Sequence, residues 1–274
     1  MKIRYLGTAA AEGFPGILCG CEVCRRARQR GGRNLRTRSQ ALVNDKLLID
    51  FPADTYMHTL REGIDLLDIE ACLITHIHED HFTPTDLHYS NGFCHPPKDW
   101  PGLTVYGSID CREALDDISA HTGGTVRHGC IEPFVPFSAA GCTVTALKAV
   151  HGTPNPFIYL IEDGEKALLY AHDTGIFHPE TWAYLEQVRP QLTLVSLDCT
   201  EGAAEDIPYD AHMCLGRNRI CRERLLAAGL ADSSTVWVLN HFSHNGVTPL
   251  YDDFAPIAAA EGFETSYDVM ELVF

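Results

Sequence analysis

The segment Leu73-Ile74-Thr75-His76-Ile77-His78-Glu79-Asp80-His81 gathers three imidazoles and two carboxylates directly behind the apolar run Ala71-Cys72-Leu73-Ile74. That run reads as a buried strand. Histidine and aspartate are poor core residues, and burying several of them without partners costs roughly several kcal/mol. A divalent cation removes that cost, because neutral imidazoles and ionised carboxylates are its preferred ligands. On an extended strand end His76 and His78, two residues apart, project to the same side. Asp80 and His81 follow around a turn and can reach a second position a few Å away. The chemistry this spacing suggests is that of a metal site.

Such a site needs further ligands, and three later residues qualify. His151 follows the β-type run Thr143–Val150, Asp173 follows Ala167–His172 and precedes Thr174-Gly175, and His241 follows Thr235–Asn240. Each stands at the C-terminal end of an expected strand, where loops converge to build sites. Taken singly, each reads more readily as a cap or a satisfied loop residue. Together with the first motif they form a coherent ligand inventory.

In this order, H-x-H-x-D-H followed by a distant His, an Asp and a final His, the chain resembles the metallo-β-lactamase-fold hydrolases. Leu6-Gly7-Thr8 and Leu48-Ile49-Asp50 add to the likeness, which covers most of the chain. The resemblance implies a dinuclear centre. His76, His78 and His151 would surround one ion, Asp80, His81 and His241 the other, and Asp173 would bridge them. An Asp at the bridging position, where the true β-lactamases carry Cys, points to the phosphodiesterase and thioesterase branches. Zinc, manganese and iron all suit this donor set.

A second cluster, Cys19-Gly20-Cys21-Glu22-Val23-Cys24, has metal-like spacing. Three thiols this close cannot pair among themselves without leaving one over. Three thiolates and one imidazole complete a closed tetrahedral zinc site. His244, three residues beyond His241, is the natural fourth ligand. The combination resembles the phosphoribosyl 1,2-cyclic phosphodiesterase branch, which carries such a structural zinc. Gly13-Phe14-Pro15-Gly16 and Asp210-Ala211-His212-Met213 fit that branch as well, and the resemblance implies that His212 acts near the leaving group. Departures at Ala9-Ala10-Ala11 and over 88–101 bear on the substrate. Read from the residues alone, His212 is also a plain helix-N-terminal polar residue.

Two divalent ions lower the pKa of a water they share and receive the oxygens of a phosphodiester. Asp80 is expected both to ligate and to orient the attacking oxygen. His212 is the candidate general acid, since a histidine pKa lies near working pH. Asp50 is expected behind the ligating imidazoles as a hydrogen-bond acceptor. His172 points away from Asp173 on an extended strand and stays outside the site. His88 and His95 are candidates for lining a substrate entrance, and His58, His121, His128 and His178 are expected at the surface.

Length and composition fit one globular enzyme domain spanning 1–274. Hydrophobic content of 45% against 21% charged argues against disorder. No apolar run approaches the ~20 residues that span a membrane. The N-terminal Met1–Leu6 alternates like a strand instead of a targeting signal. Eleven cysteines in such a chain suggest reduced thiols and a cytoplasmic location. A net charge of −16 argues against a nucleic-acid partner, which a broad basic face would attract. Arginines do cluster between Arg25 and Arg38, read as a solvated helix face, with Arg36 or Arg38 the alternative contacts for a substrate phosphate.

The expected strands are 2–7, 40–44, 46–50, 71–75 and 103–106, then 142–150, 157–162, 166–171, 192–197 and 235–240, with a closing strand at 267–273. Helices are expected near 54–62, 110–120, 178–188, 216–228 and 249–261. Two similar halves with helices outside make an α/β fold of the αββα four-layer type. The function expected is hydrolysis of a small cyclic phosphodiester by a chain compatible with a homodimer. A tRNA 3′-processing ribonuclease, which needs a basic arm not found here, and a cofactor-biosynthesis accessory protein are the alternatives.

Overall fold

In the computed structural model, which describes residues 1–274, the first half runs β1 (Lys2–Gly7), α1 (Glu22–Arg30), β2 (Gln40–Val43), β3 (Leu47–Ile49), α2 (Thr55–Glu62), β4 (Ala71–Leu73), β5 (Leu103–Gly107), α3 (Arg112–His121) and β6 (Val126–Cys130). The second half runs β7 (Phe137–Ala139), β8 (Cys142–Lys148), β9 (Phe157–Asp163), β10 (Lys166–Ala171), α4 (Pro179–Val188), β11 (Leu194–Asp198), α5 (Leu215–Ala227), β12 (Val236–Asn240), α6 (Tyr251–Ala260), β13 (Glu264–Thr265) and β14 (Met270–Val273). Two seven-stranded sheets result, ordered β14-β1-β2-β3-β4-β5-β6 and β13-β12-β11-β10-β9-β8-β7.

Side-chain alternation makes the layers. On β10, Leu168 and Tyr170 enter the core between the sheets, while Ala167, Leu169 and Ala171 face the outer helices. β3 divides in the same way, with Leu47 and Ile49 inward and Leu48 outward. Trp182 and Leu185 of α4, Leu225 of α5 and Phe254 of α6 close the second outer core. Leu115 and Ile118 of α3 close the first. Three apolar interfaces separate four layers, which is the expected αββα sandwich.

Parallel pairing joins β3 to β4, and β10 to β11 to β12. Their C-terminal ends therefore emerge at one rim of each sheet, the place where α/β folds collect ligands.

The expected strands and helices all form, most of them a residue or two shorter than read. β6, β7 and β13 were not expected. β6 is a sheet edge whose Val126-Arg127-His128-Gly129-Cys130 lacks a buried alternation, and β7 and β13 are three and two residues long. Two histidines expected at the surface are inside. His58 has no exposed surface, because it lies on the inner face of α2 with Nδ1 2.5 Å from Gln40 Oε1 and Nε2 2.7 Å from Thr37 Oγ1. The His128 side chain is largely covered beside Asp116. His121 is exposed, and His178 caps α4, accepting from Glu180 N.

Candidate metal centre

Backbone geometry at the strand ends sets up the site. Asp50 follows β3, the His76–His81 turn follows β4, Asp173 follows β10, Asp198 ends β11 and His241 follows β12. Asp50, Asp173 and His241 have φ of 66°, 52° and 66°. This left-handed conformation breaks each strand's path at the rim, where the three side chains meet His81. L-residues adopt it at a cost.

The seven residues expected as ligands come together in two groups. His76 Nε2 and His151 Nε2 lie 3.0 and 3.1 Å from His78 Nδ1, and His76 Nε2 lies 3.1 Å from Asp173 Oδ2. In the second group, His81 Nε2 lies 3.1 Å from Asp80 Oδ2, 3.3 Å from His241 Nε2 and 3.3 Å from Asp173 Oδ2. Within each group the donor atoms lie within 4.8 Å of one another, and Asp173 belongs to both.

Hydrogen-bond polarity tests whether these groups suit a cation. His81 Nδ1 donates to Asp50 Oδ2 at 2.7 Å and His151 Nδ1 to the Ala211 carbonyl at 3.2 Å. Thr75 Oγ1 donates to Asp50 and so accepts from His76 Nδ1 at 3.1 Å. Thr200 Oγ1 donates to Asp198 and so accepts from His241 Nδ1 at 2.8 Å. Each of these rings is thus anchored through Nδ1 with Nε2 turned inward. Burial would lower His81, but Asp50 and Asp80 outweigh it and raise it well above 6.5, so a cation there would take the place of an inward proton. A single proton on His78 Nδ1 could serve only one of its two neighbours. Asp173 Oδ1 is buried without a hydrogen bond, although His212 Nδ1 and His151 Nδ1 lie 3.0 and 3.3 Å away. Imidazole nitrogens and carboxylate oxygens converging in this way are the donor set of a divalent metal site. Burial also lowers His76 to about 4, which keeps its ring neutral at pH 7.

Asp198 and Thr200 are site residues that the sequence reading missed. The only signal was a carboxylate at the end of an apolar strand, the position that Asp50 and Asp173 also hold. Asp198 is fully buried, accepts from Thr200 N at 3.0 Å and Met213 N at 2.8 Å, and lies 3.4 Å from both His241 Nδ1 and His212 Nδ1. Burial would lower His212, but Asp173 and Asp198 outweigh it and raise it to about 10. His172 stays outside, held by Ser196 Oγ at 2.7 Å and Asn240 Nδ2 at 3.0 Å.

The donors open into a cavity of about 320 Å³, whose outer wall includes Glu12, Glu201, Tyr209 and His212. A wider hollow of about 710 Å³ adjoins it, sharing Ala11, His78 and Asp80 and adding Arg38 and the strip Phe82–Thr85. Arg38 is the one arginine or lysine on either wall. Arg36 does not reach the cleft. It is buried, donates to Thr8 Oγ1 and the Ser266 carbonyl, and covers the Phe242 ring. Neither His88 nor His95 lines the cleft: His88 turns toward Asp117 on α3, and His95 is exposed beyond it.

The cysteine cluster forms a third donor group. Cys19, Cys21, Cys24 and His244 present donor atoms within 4.8 Å of one another, with Cys21 Sγ 3.7 Å from His244 Nδ1. The Cys24 amide donates to Cys21 Sγ at 3.4 Å and helps lower that thiol to about 6. Gly16 makes room for the group. A Cβ there would come within 2.8 Å of the His244 ring. The cluster sets the first loop of the chain beside the loop that carries His241.

Fold and donor geometry define a metallo-β-lactamase-fold protein whose histidine and aspartate cluster fits divalent metal. A family model described as the beta-lactamase superfamily domain matches residues 47–217, and the chain belongs to that superfamily. An octanoyltransferase of Porphyromonas gingivalis (strain ATCC BAA-308 / W83) is 31% identical over 180 residues, covering 62% of this chain and 34% of that protein. The chain thus spans about a third of the length of that curated relative. Among solved structures, a diphosphatase from the PhnP family aligns with TM-score 0.76 at 22% identity, over 100% of this chain and 97% of that one. Zinc-bound PqqB from Methylobacterium extorquens aligns at 0.72 and 17% over both whole chains. The short form of human tRNase Z aligns at 0.68 and 15%, over 100% and 99%. At these identities the likeness is one of fold.

Proposed function

We propose that the protein is a dinuclear metal-dependent hydrolase of small phosphodiesters, cyclic phosphates of the phosphoribosyl 1,2-cyclic type in particular. The observation that carries the reading is the pair of donor groups sharing Asp173 at the floor of a narrow cavity. His76, His78, His151 and Asp173 would hold one ion and Asp80, His81, His241 and Asp173 the other. Bound there, zinc, manganese or iron would acidify a water and neutralise the phosphate oxygens.

The chain's own residues then divide the remaining work. Asp80 faces both cavities and would orient the water that attacks phosphorus. As the new P–O bond forms, the bond to the ester oxygen breaks, and that oxygen must gain a proton. His212 stands on the outer wall with Nδ1 held between Asp173 and Asp198, so its opposite edge is free to supply the proton to the leaving oxygen. Asp50, Thr75 and Asp198 stand behind the imidazoles, Thr200 reaches the cavity wall, and together they hold the rings in register.

Cys19, Cys21, Cys24 and His244 would hold a structural zinc. Residues 1–274 would act as one unit, in the cytoplasm, with a small diester as partner and a homodimer as the compatible assembly. No helix is long and apolar enough to cross a membrane.

Metal-reconstituted protein should be offered phosphoribosyl cyclic phosphates, cyclic nucleotides, bis(p-nitrophenyl) phosphate, precursor tRNA and an octanoyl thioester. Turnover of the small diesters is expected. Efficient trimming of the tRNA, or cleavage of the thioester alone, would overturn the reading. His212→Ala should cost about 10²–10⁴-fold on a ribose-type diester, the range of general acid catalysis. It should cost far less on bis(p-nitrophenyl) phosphate, whose leaving group departs without a proton. Equal losses on both would remove the general-acid role.

A further inference from the structure

Away from the cavity and the cysteine cluster, one more set of metal-binding side chains converges, on the outer face of the first sheet's helical layer. His88 belongs to the 3-10 segment Pro84–Asn91, and Asp117 and His121 lie one turn apart on α3. Donor atoms of the three fall within 4.8 Å of one another. His88 Nε2 lies 3.7 Å from Asp117 Oδ2, and His121 Nδ1 lies 3.3 Å from Asp117 Oδ1. The two rings stand 5.6 Å apart at 62°, edge to face around the carboxylate.

Several features make this more than a chance surface contact. An aspartate and a histidine four residues apart on a helix face the same way, so α3 presents two donors at fixed separation. His121 Nδ1, the nitrogen beside the carboxylate, also lies 2.7 Å from the Asp117 backbone carbonyl, which holds the ring against its own helix. The third donor comes from a different segment, so the set brackets a point between two elements. Its side chains are one-third to just over one-half exposed, leaving room for water to complete a coordination shell. A chain of net charge −16 concentrates cations at its surface.

We propose that His88, Asp117 and His121 form a further divalent-cation site, of the open two-imidazole, one-carboxylate type that suits zinc. Its place in the fold gives it a consequence. The strip Phe82–Thr85 walls the wide hollow beside the donor cavity, and His88 sits one turn beyond it. An ion held by His88 and α3 fastens that wall to the helix behind it. The site is a clamp on the cleft mouth, separate from the ions at its floor.

Untagged protein, first filled at its tighter sites and dialysed, should be titrated with zinc in a calorimeter. Cobalt absorbance provides a second count. One additional ion per chain is expected. His121→Ala and Asp117→Asn should each weaken that ion at least about tenfold, since groups that only orient a ligand already cost about 10–100-fold when removed. Both side chains are exposed, so the fold should persist, and circular dichroism checks that it does. Amide exchange over 82–91 should slow when the additional zinc binds to wild type and stay unchanged in the variants. No additional ion, equal binding by the variants, or exchange over 82–91 indifferent to zinc would each overturn the proposal.

Discussion

Asp50→Asn isolates the part of the site that holds a ligand without touching a metal. Asp50 is fully buried. Its Oδ1 accepts from Thr75 N at 2.8 Å and Thr75 Oγ1 at 2.9 Å, and its Oδ2 accepts from His81 Nδ1 at 2.7 Å. Asparagine has the same shape and tolerates the left-handed backbone found here, but it offers one acceptor oxygen where the carboxylate offers two. If the amide oxygen stays on Thr75, the NH₂ faces His81 Nδ1 and forces that ring's proton onto Nε2, the atom turned toward Asp80, Asp173 and His241. If the amide flips, its NH₂ meets the Thr75 amide hydrogen. Either arrangement disables the second ion's histidine or leaves a buried donor unpaired. The expected loss is about 10–100-fold in affinity for that ion, or about 1.4–2.8 kcal/mol. The ion among His76, His78 and His151 should change much less. Competition with a fluorescent chelator at fixed pH, with circular dichroism to confirm the fold, would read both constants. Affinity within threefold of wild type for both ions would refute the argument.

Asp173→Ala should leave at most one of the two cavity ions tightly bound, and two undiminished ions by elemental analysis would contradict the shared-ligand geometry. Cys21→Ser should lose one zinc and lower thermal stability while the cavity ions remain. Gly16→Ala should do the same by steric means, at about 1–3 kcal/mol, because its methyl meets the His244 ring. His58 is lowered to about 4, chiefly by burial and then by Arg61, against 6.5 in the unfolded chain. The neutral native ring therefore contributes stability that is complete above pH 6.5 and lost as pH falls toward 4, about 3 kcal/mol in all. Urea unfolding of wild type and His58→Gln between pH 7.5 and 5 should show a steeper decline in the wild type, and parallel curves would refute it.

Much of the site was legible because metal ligation places incompatible residues in plain view. Histidines and aspartates directly after apolar strands have no packing explanation, and parallel strand order then brings those ends to one rim. Asp198 escaped notice because a single terminal carboxylate after Leu194–Leu197 looks like a turn former. Only the partners at Thr200, Met213 and His241 show what it holds. His58 was misplaced for the converse reason: one histidine in a helix carries no sign of which face it occupies until Gln40 and Thr37 are seen opposite it. Arg36 and Arg38 differ by two residues in the same basic run, and only the surrounding shell sends one into the interior and the other to the cleft.

Asp50, Asp173 and His241 share a left-handed backbone, at a cost on the order of 1–3 kcal/mol each. Glycine would relieve that tension, but at Asp50 it would also strip the acceptors from Thr75 and His81, a buried loss at least as large. Strain and polar pairing therefore oppose each other at three defined codons, and a mutant library selected for heat resistance alone should not collect glycine there.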